Sequence, residues 1–339
     1  MLKISTIQLK NLAWVFSFTC FLGFNTLLAQ TPEESIDAYA KSFSTGVYGN
    51  IESFTSALIK PYTTENDKAR VIFAWIGTHI RYDFQKSENM VERGMKREIK
   101  ATSAAEAEKI KKDLQDADAV QCFRAKRGVC QDYSRLFKKM CDVAKLESEF
   151  IGGVCKDMSR KNDEMSHAWN AVKIDGKWFL LDATWGAGSG NDGSFKAEYS
   201  PNMFKVDPKF FILNHLPSDE KWQFLDKPIS KEQFSRQAWI HYGQKAATIE
   251  SVSPLEEALM PKDGQIVIKI KFSQKPQGLF LYAASPSQKQ IPTTMSEENG
   301  VTVIKIEVKE RSYPFIFLNM KKSQSELLTT TVGKFYMAK

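Results

Sequence analysis

Three residues of this 339-residue chain have the side chains and the local sequence that thiol chemistry requires: Cys130, His167 and Asp182. Cys130 follows Gly128 and opens a stretch with apolar residues at helical spacing, namely Tyr133, Phe137, Met140, Cys141 and Ala144. This pattern predicts a helix with the thiol in its first turn. At that position, unpaired backbone N–H groups and the positive end of the helix dipole stabilise a thiolate, which is the nucleophilic form of cysteine.

His167 and Asp182 lie on one predicted β-hairpin. Two strand-like segments flank Asp175-Gly176, a dipeptide that favours a two-residue hairpin loop. With that loop Ile174 faces Lys177, and His167 and Asp182 project from the same face as diagonal neighbours, roughly 7 to 8 Å apart at the backbone. A carboxylate so placed fixes the imidazole tautomer and stabilises the charged ring. A three-residue loop would break this parity.

Each of these residues also has a simpler interpretation when it is taken alone. A cysteine in an apolar helix is usually a small core residue, and a histidine on a strand is usually structural. The three residues together, each in a suitable local sequence, favour a Cys-His-Asp site.

The motifs around these residues resemble the three core motifs of the transglutaminase-like superfamily, which has a papain-like fold. They are Gly128-Val-Cys-Gln-Asp-Tyr-Ser134, Ser166-His-Ala-Trp-Asn170 and Leu181-Asp-Ala-Thr-Trp-Gly186. Segment 203–217, with the sequences around Trp222 and Phe234 after it and segment 74–83 before it, resembles the kyphoscoliosis-peptidase-like branch. The resemblance covers about residues 50 to 235. It implies a nucleophile helix packed against an antiparallel sheet that carries the histidine and the aspartate.

The expected fold class is α+β, with a transglutaminase-like core over residues 30–245 and a small all-β sandwich over residues 246–339. The sandwich is predicted from strand-like runs separated by Pro, Gly and Asn-Gly signals, and an immunoglobulin-like arrangement is one option. It contains neither Cys nor His, so it supplies no nucleophile and base, and capping or positioning is favoured over partner binding. Within the core, residues 86–119 are rich in Lys, Glu, Arg and Ala, which favours a solvated helical insertion over a substrate-gating lid.

Residues 1–29 are predicted to be a secretory signal, because a leader with Lys3 and Lys10 precedes a short apolar stretch from Ala13 to Phe24. A single-pass anchor is the alternative, but the apolar stretch is shorter than the ~20 residues that a span needs. We therefore expect an exported protein, periplasmic or extracellular, with no membrane span after removal of the signal. The two lysines of the leader reduce the formal net charge of +7 to +5 when they are removed. This mild basicity, spread along the chain, does not favour nucleic-acid binding.

Four cysteines remain after the signal: Cys122, Cys130, Cys141 and Cys155. Cys130 and Cys141 lie about 16 Å apart along one predicted helix, so they cannot form a disulfide while it is intact. Cys141 and Cys155 are interpreted as core residues, and Cys122 stays undecided. No metal-binding motif is present, so we infer no metal and no cofactor.

Two further features have simple structural interpretations. The Gly188–Gly193 segment matches a dinucleotide fingerprint in letters only, since no helical pattern follows it, and a mobile loop beside the site is expected instead. We interpret His79 and His241 as surface or packing residues. His215 is interpreted as structural, because no carboxylate or thiol pattern surrounds it in the sequence.

The predicted function is an exported thiol enzyme that acts on amide bonds of a protein or peptide substrate. Cys130 would attack the carbonyl, His167 would move the proton, Asp182 would orient His167, and a thioester acyl-enzyme would form. The Cys130 backbone N–H is a natural oxyanion donor, and the second donor is not identifiable. Hydrolysis is favoured over amine transfer, because Trp169 and Trp185 are more typical of a core than of a substrate tunnel. A crosslinking transglutaminase, a silent scaffold that retains the fold and a redox pair of Cys122 with Cys130 are the alternatives.

Overall fold

A computed structural model describes residues 31–93, 100–156, 164–191, 193–240, 248–255, 258–275, 278–308, 313–321 and 330–337. The predicted signal segment 1–29 and His241 lie outside those residues. Among the helices of the described ranges, none combines the length and the apolar character needed to cross a membrane.

Helices from the first part of the chain enclose an extensive apolar core. They are α1 (Pro32–Ser42), α2 (Ile51–Leu58) and α3 (Glu65–His79). Each begins at a capping side chain, Thr31, Asn50 or Thr64, which accepts a hydrogen bond from an N–H group of the first turn.

A short parallel strand pair leads the chain into the helix that begins at Cys130. Strand β1 (Arg81–Tyr82) pairs with β2 (Arg127–Gly128), and the charged segment between them forms α4 (Phe84–Arg93) and α5 (Ala104–Ala125). Helix α6 (Cys130–Ala144) begins two residues after β2. Near its C-terminal end α5 buries Ala119, Cys122 and Phe123, so its last turns belong to the core.

The central sheet is antiparallel and carries the other two candidate residues. In chain order its strands and the short elements between them are β3 (Ser148–Lys156), β4 (Glu164–Ile174), β5 (Lys177–Leu181), α7 (Ala183–Ala187), β6 (Gly188–Asn191), β7 (Ser194–Ala197), β8 (Phe204–Val206), α8 (Pro208–Phe211) and β9 (His215–Pro217). The strand order is β8-β5-β4-β3-β9. The side chain of Asn170 on β4 donates to the Ser134 carbonyl of α6 at 3.0 Å, which ties the nucleophile helix to the sheet.

The β4–β5 hairpin has the predicted register. Ile174 pairs with Lys177, and the ladder runs to Asn170 opposite Leu181. Asp175 and Gly176 have φ angles of 49° and 78°, the positive values that a two-residue type I′ turn requires. The loop is therefore two residues long, and the parity argument for His167 and Asp182 is confirmed.

The Gly188–Gly193 segment is not an irregular loop, and that part of the expectation is wrong. Strands β6 and β7 form an antiparallel hairpin that follows α7 directly. A Cβ at Gly188 would lie 2.2 Å from the Lys196 carbonyl oxygen, and one at Gly190 would lie 1.9 Å from the Phe84 ring. These glycines therefore serve close backbone packing and do not cradle a dinucleotide.

Two further antiparallel sheets form the C-terminal sandwich around a second apolar core. After α9 (Lys231–Arg236) the strands are β10 (Trp239–Ile240), β11 (Thr248–Ser253), β12 (Gln265–Gln274), β13 (Phe280–Ala284), β14 (Gln290–Ile291), β15 (Thr293–Glu298), β16 (Val301–Glu307), β17 (Phe315–Lys321) and β18 (Thr330–Tyr336). One sheet has the order β10-β18-β17-β13-β14 and the other β11-β12-β16-β15. Strand β10 pairs with β18, so residues that precede the expected boundary at 246 take part in the sandwich.

Candidate active site

Cys130 is the first residue of α6, as the sequence predicts, and its position depends on Gly128. A Cβ at residue 128 would lie 2.7 Å from the Cβ of Asp132 and 3.1 Å from the Cys122 sulfur, so a larger residue cannot be placed there without moving the helix. The Asp132 carboxylate accepts the Val129 N–H at 2.8 Å and lies 2.7 Å from the Lys86 ammonium. The first N–H groups of a helix have no acceptor within it, so the Cys130 N–H is oriented outward from the helix start.

The structure brings the three candidate residues together. His167 Nε2 lies 2.7 Å from Asp182 Oδ2, and the Cys130 thiol is among the groups that raise the pKa of His167. Because Nε2 is directed at the carboxylate, Nδ1 is the ring nitrogen that remains for the thiol. Cys130 is 9% exposed, His167 7% and Asp182 0%, so the exposed fraction decreases from the nucleophile to the carboxylate.

A glycine lies opposite His167 in the central sheet. It is Gly153 on β3. A Cβ at Gly153 would lie 2.2 Å from the Leu216 carbonyl oxygen and 2.6 Å from the Trp169 ring. Gly153 thus lets β3, β4 and β9 approach closely at the level of the site.

Asp182 is a fully buried carboxylate with four hydrogen bonds. Oδ1 accepts the backbone N–H groups of Thr184 and Trp185 at 2.8 and 3.0 Å, and in this way Asp182 also caps α7. Oδ2 accepts from His167 at 2.7 Å and from His215 at 3.0 Å. Burial opposes the charged form, but the positive charge and the N–H of His167, together with the His215 N–H, hold the pKa of Asp182 well below its usual range.

His167 has the opposite shift. Burial alone would lower its pKa, but the ring lies beside the Cys155 sulfur and the Asp182 carboxylate, and the net effect is a pKa well above the usual value. An imidazolium paired with a carboxylate is the form that stabilises a thiolate on Cys130. The site can therefore hold a protonated His167 ring whose charge is balanced by Asp182.

His215 is the residue that sequence reasoning missed. The sequence around it shows no carboxylate pattern, but β9 pairs with β3 and places its Nε2 3.0 Å from Asp182 Oδ2. Its ring stacks on Phe211 with centroids 4.0 Å apart and is fully buried. Burial lowers the pKa of His215 to about 4, so this ring is neutral at pH 7. The available signal was a histidine within the apolar run 210–217, which needs a buried polar partner.

The other three cysteines are buried, and none of them forms a disulfide in the structure. Burial raises the pKa of Cys122 and of Cys141 well above the usual value, which is typical of inert core cysteines. Cys141 and Cys155 are thus core residues, as expected, and Cys122 joins them. No described pair of cysteines is bonded, so the alternative of a Cys122–Cys130 redox pair gains no support.

One cluster among the described residues has the donor atoms that a metal ion could use. The nearest ligand atoms of His167, Asp182 and His215 all lie within 4.8 Å of one another. Both Nε2 atoms, however, are at hydrogen-bonding distance from the same carboxylate oxygen, and imidazole must give up that N–H before it ligates a metal. We interpret the cluster as a hydrogen-bonded network of the thiol site.

The two tryptophans beside the triad differ in their surroundings. Trp169 is 1% exposed and packs in a small core beneath the sheet. Trp185 is half-buried, with its ring centroid 5.7 Å from that of His167 and 4.4 Å from that of His215. Only Trp185 is therefore placed to contact a molecule that approaches His167.

A Cys-His-Asp arrangement on a helix and an antiparallel sheet defines a papain-like class of protein, and comparisons with known proteins agree. Residues 52–183 match the model of the transglutaminase-like superfamily. Kyphoscoliosis peptidase of Mus musculus is 28% identical over 208 residues, which are 59% of this chain and 28% of that protein. Hillarin of Drosophila melanogaster is 25% identical over 233 residues, which are 62% of this chain and 26% of that protein. A solved structure described as a TGase is 18% identical, with a TM-score of 0.29 over 54% of this chain and 40% of that chain.

Residues 52–183 thus match the transglutaminase-like superfamily, and the chain is similar to the kyphoscoliosis peptidase branch. The matched region spans little more than a quarter of the length of these curated relatives.

Proposed function

We propose that the protein is an exported thiol enzyme that cleaves amide bonds of proteins or peptides, with Cys130 as the nucleophile. The observation that carries this proposal is the 2.7 Å contact of His167 with Asp182, a carboxylate that accepts four hydrogen bonds. Cys130 stands at the start of α6 and is among the groups that raise the pKa of His167. A site of this kind activates a thiol and returns a proton to the leaving amine.

In the proposed reaction Cys130 Sγ attacks the carbonyl carbon, and the developing oxyanion is stabilised by the Cys130 N–H at the start of α6. His167 carries the proton and delivers it to the amine, which leaves. Water attacks the thioester that remains while His167 takes a proton from that water. The C–S bond then breaks, the carboxylic acid leaves, and His167 returns the proton to the Cys130 sulfur. Asp182 keeps the His167 proton on Nε2, so that Nδ1 is the nitrogen that exchanges a proton with Cys130.

Hydrolysis is proposed in preference to transfer to an amine. A transferase must protect its thioester from water, which calls for an apolar channel on the acceptor side. Trp169 is too deeply buried to line such a channel. Of these two tryptophans, only Trp185 is half-buried beside the His167 imidazole. Export belongs to the same proposal and rests on the leader-like sequence of residues 1–29.

Incubation of the chain that begins at Gln30 with a library of glutamine-containing peptides and a labelled primary amine tests the proposal. Mass spectrometry distinguishes cleavage, deamidation and amine incorporation, and Cys130→Ala is the matched control. We expect cleavage or deamidation that disappears in the control. Amine incorporation that exceeds both would instead identify a transferase, and no Cys130-dependent product of any kind would favour a silent scaffold.

A further inference from the structure

The C-terminal sandwich is held against the strand that carries His215. The Asn214 side chain donates to the Ile240 carbonyl at 2.7 Å and accepts the Ile240 N–H at 3.4 Å. Ile240 belongs to β10, which is hydrogen-bonded to β18 within the sandwich sheet. Asn214 is fully buried, so the residue that precedes His215 is fixed by a strand of the other domain.

A second connection lies on the neighbouring strand. The Lys156 N–H on β3 donates to the Asn214 carbonyl at 2.9 Å. The Lys156 ammonium donates to the Gln237 carbonyl at 2.7 Å and lies over the rings of Phe234 and Tyr336. The sandwich and the segment that leads into it therefore hold β3 and β9 together at the edge of the catalytic sheet.

His215 transmits this placement to the catalytic carboxylate. Its Nε2 and that of His167 share one oxygen, Asp182 Oδ2, and each N–H that this oxygen accepts offsets part of its negative charge. The carboxylate stays oriented without His215, because Oδ1 is held by two backbone N–H groups. Loss of the His215 donor would thus leave more negative charge facing His167.

We propose that His215 is a positioning residue that limits the basicity of His167 by sharing Asp182, and that the sandwich sets this contact through the Asn214–Ile240 pair. The inference rests on the proposed thiol site and gives the C-terminal domain a role in its chemistry. The titratable and charged groups that face the two imidazoles are Asp182, Cys130 on α6 and Cys155 on β3, with the Tyr133 hydroxyl directed to the Ile80 carbonyl. A substitution at residue 215 or 214 replaces none of these side chains.

The test is the pH dependence of the reaction of Cys130 with iodoacetate in the chain that begins at Gln30. The carboxylate of this reagent is attracted to the imidazolium, so the rate falls at alkaline pH as His167 loses its proton. We expect His215→Phe to shift this alkaline limb to higher pH by roughly one unit. A hydrogen bond to an ionised group contributes about as much free energy as a pKa shift of that size. His215→Gln retains an N–H donor and should return the limb toward that of the native chain.

Asn214→Leu should move the limb in the same direction by a smaller amount. Asn319→Ala removes a buried polar group that pairs with Thr331 inside the sandwich and should leave the limb in place, although it also lowers the melting temperature. If His215→Phe does not fold, as judged by circular dichroism, the comparison of Asn214→Leu with Asn319→Ala decides the question.

The two proposals fail in different ways. A native chain in which Cys130 shows no alkaline limb lacks the thiolate and imidazolium pair, and the thiol site itself is then wrong. A native chain with a clear limb that His215→Phe leaves in place, or that Asn319→Ala moves as far as Asn214→Leu does, contradicts the role of His215 and the sandwich while the thiol site stands.

Discussion

At the residue scale, the candidate site depends on hydrogen bonds that converge on Asp182. A buried carboxylate is stable only when its oxygens have donors, and here two backbone N–H groups and two imidazoles supply them. The same set explains why the pKa of Asp182 is lowered and that of His167 is raised, although both are buried. The pKa shifts of the candidate site therefore follow largely from the hydrogen bonds that Asp182 accepts.

Asp182→Asn tests this arrangement. The amide can still accept the Thr184 and Trp185 N–H groups, but its NH₂ would then face His167 and His215. His167 would have to move its proton to Nδ1, the nitrogen that must accept the proton of Cys130, so we expect turnover to fall by about 10²- to 10⁴-fold. The measurement is kcat on a peptide found to be cleaved, with circular dichroism as the control for folding. Activity within a few-fold of the native chain would mean that Asp182 does not orient His167.

The raised pKa of His167 also gives a sign for the effect of pH on stability. Because the folded chain binds this proton more tightly than the unfolded chain, the stabilisation is fully present below about pH 6.5, the usual pKa of histidine. It is lost as the pH rises through the higher pKa of the folded state. The buried His215 acts in the opposite direction, because its pKa is lowered to about 4 and its neutral form is the folded one. Its contribution is lost as the pH falls from about 6.5 to 4.

At the element scale the site is the meeting point of α6, the β4–β5 hairpin and β9. The first two were predictable, since the helix has an apolar period with a glycine before it and the hairpin has an Asp-Gly turn between alternating strands. Strand β9 has only the residues His215–Pro217, too few to show a two-residue period, and its pairing with β3 is a long-range contact. The place of His215 was therefore not readable from local sequence.

The close approach of β3 and β9 can be tested with two adjacent glycines. Gly153→Ala would place a Cβ 2.2 Å from the Leu216 carbonyl oxygen, whereas at Gly152 the nearest atom is 3.9 Å away. We expect Gly153→Ala to cost about 1 to 3 kcal/mol of unfolding free energy, the usual penalty of overpacking, and to slow turnover because β9 carries His215. Gly152→Ala should change both little. Equal effects of the two substitutions on chemical denaturation and kcat would contradict the proposed packing.

At the scale of the whole molecule, the two apolar cores are joined where the central sheet meets the sandwich. Leu213 packs in the sandwich core, one residue before the Asn214 contact with β10. The sandwich strands with clear alternation, such as β12 and β16, were predictable. Strand β15, with the sequence Thr-Thr-Met-Ser-Glu-Glu, is largely exposed on one edge of its sheet and has no apolar period that would reveal it.

Export is the proposed property that concerns the chain as a whole. If residues 1–29 are a secretory signal, the protein recovered from outside the cytoplasm begins at Gln30. N-terminal sequencing of the protein expressed with its leader measures this directly. A protein that keeps Met1 and sediments with membranes would support an anchor instead.

We propose that His167 and the start of α6 make Cys130 a reactive thiolate. Selective alkylation tests this proposal without knowledge of a substrate. At mildly acidic pH a free thiol with a pKa of about 8.5 is almost entirely protonated. Iodoacetamide should then modify Cys130 ahead of Cys122, Cys141 and Cys155, as read by peptide mass spectrometry, and His167→Ala should slow this reaction specifically. Uniform labelling of the four cysteines, or a Cys130 rate unchanged in His167→Ala, would contradict the account.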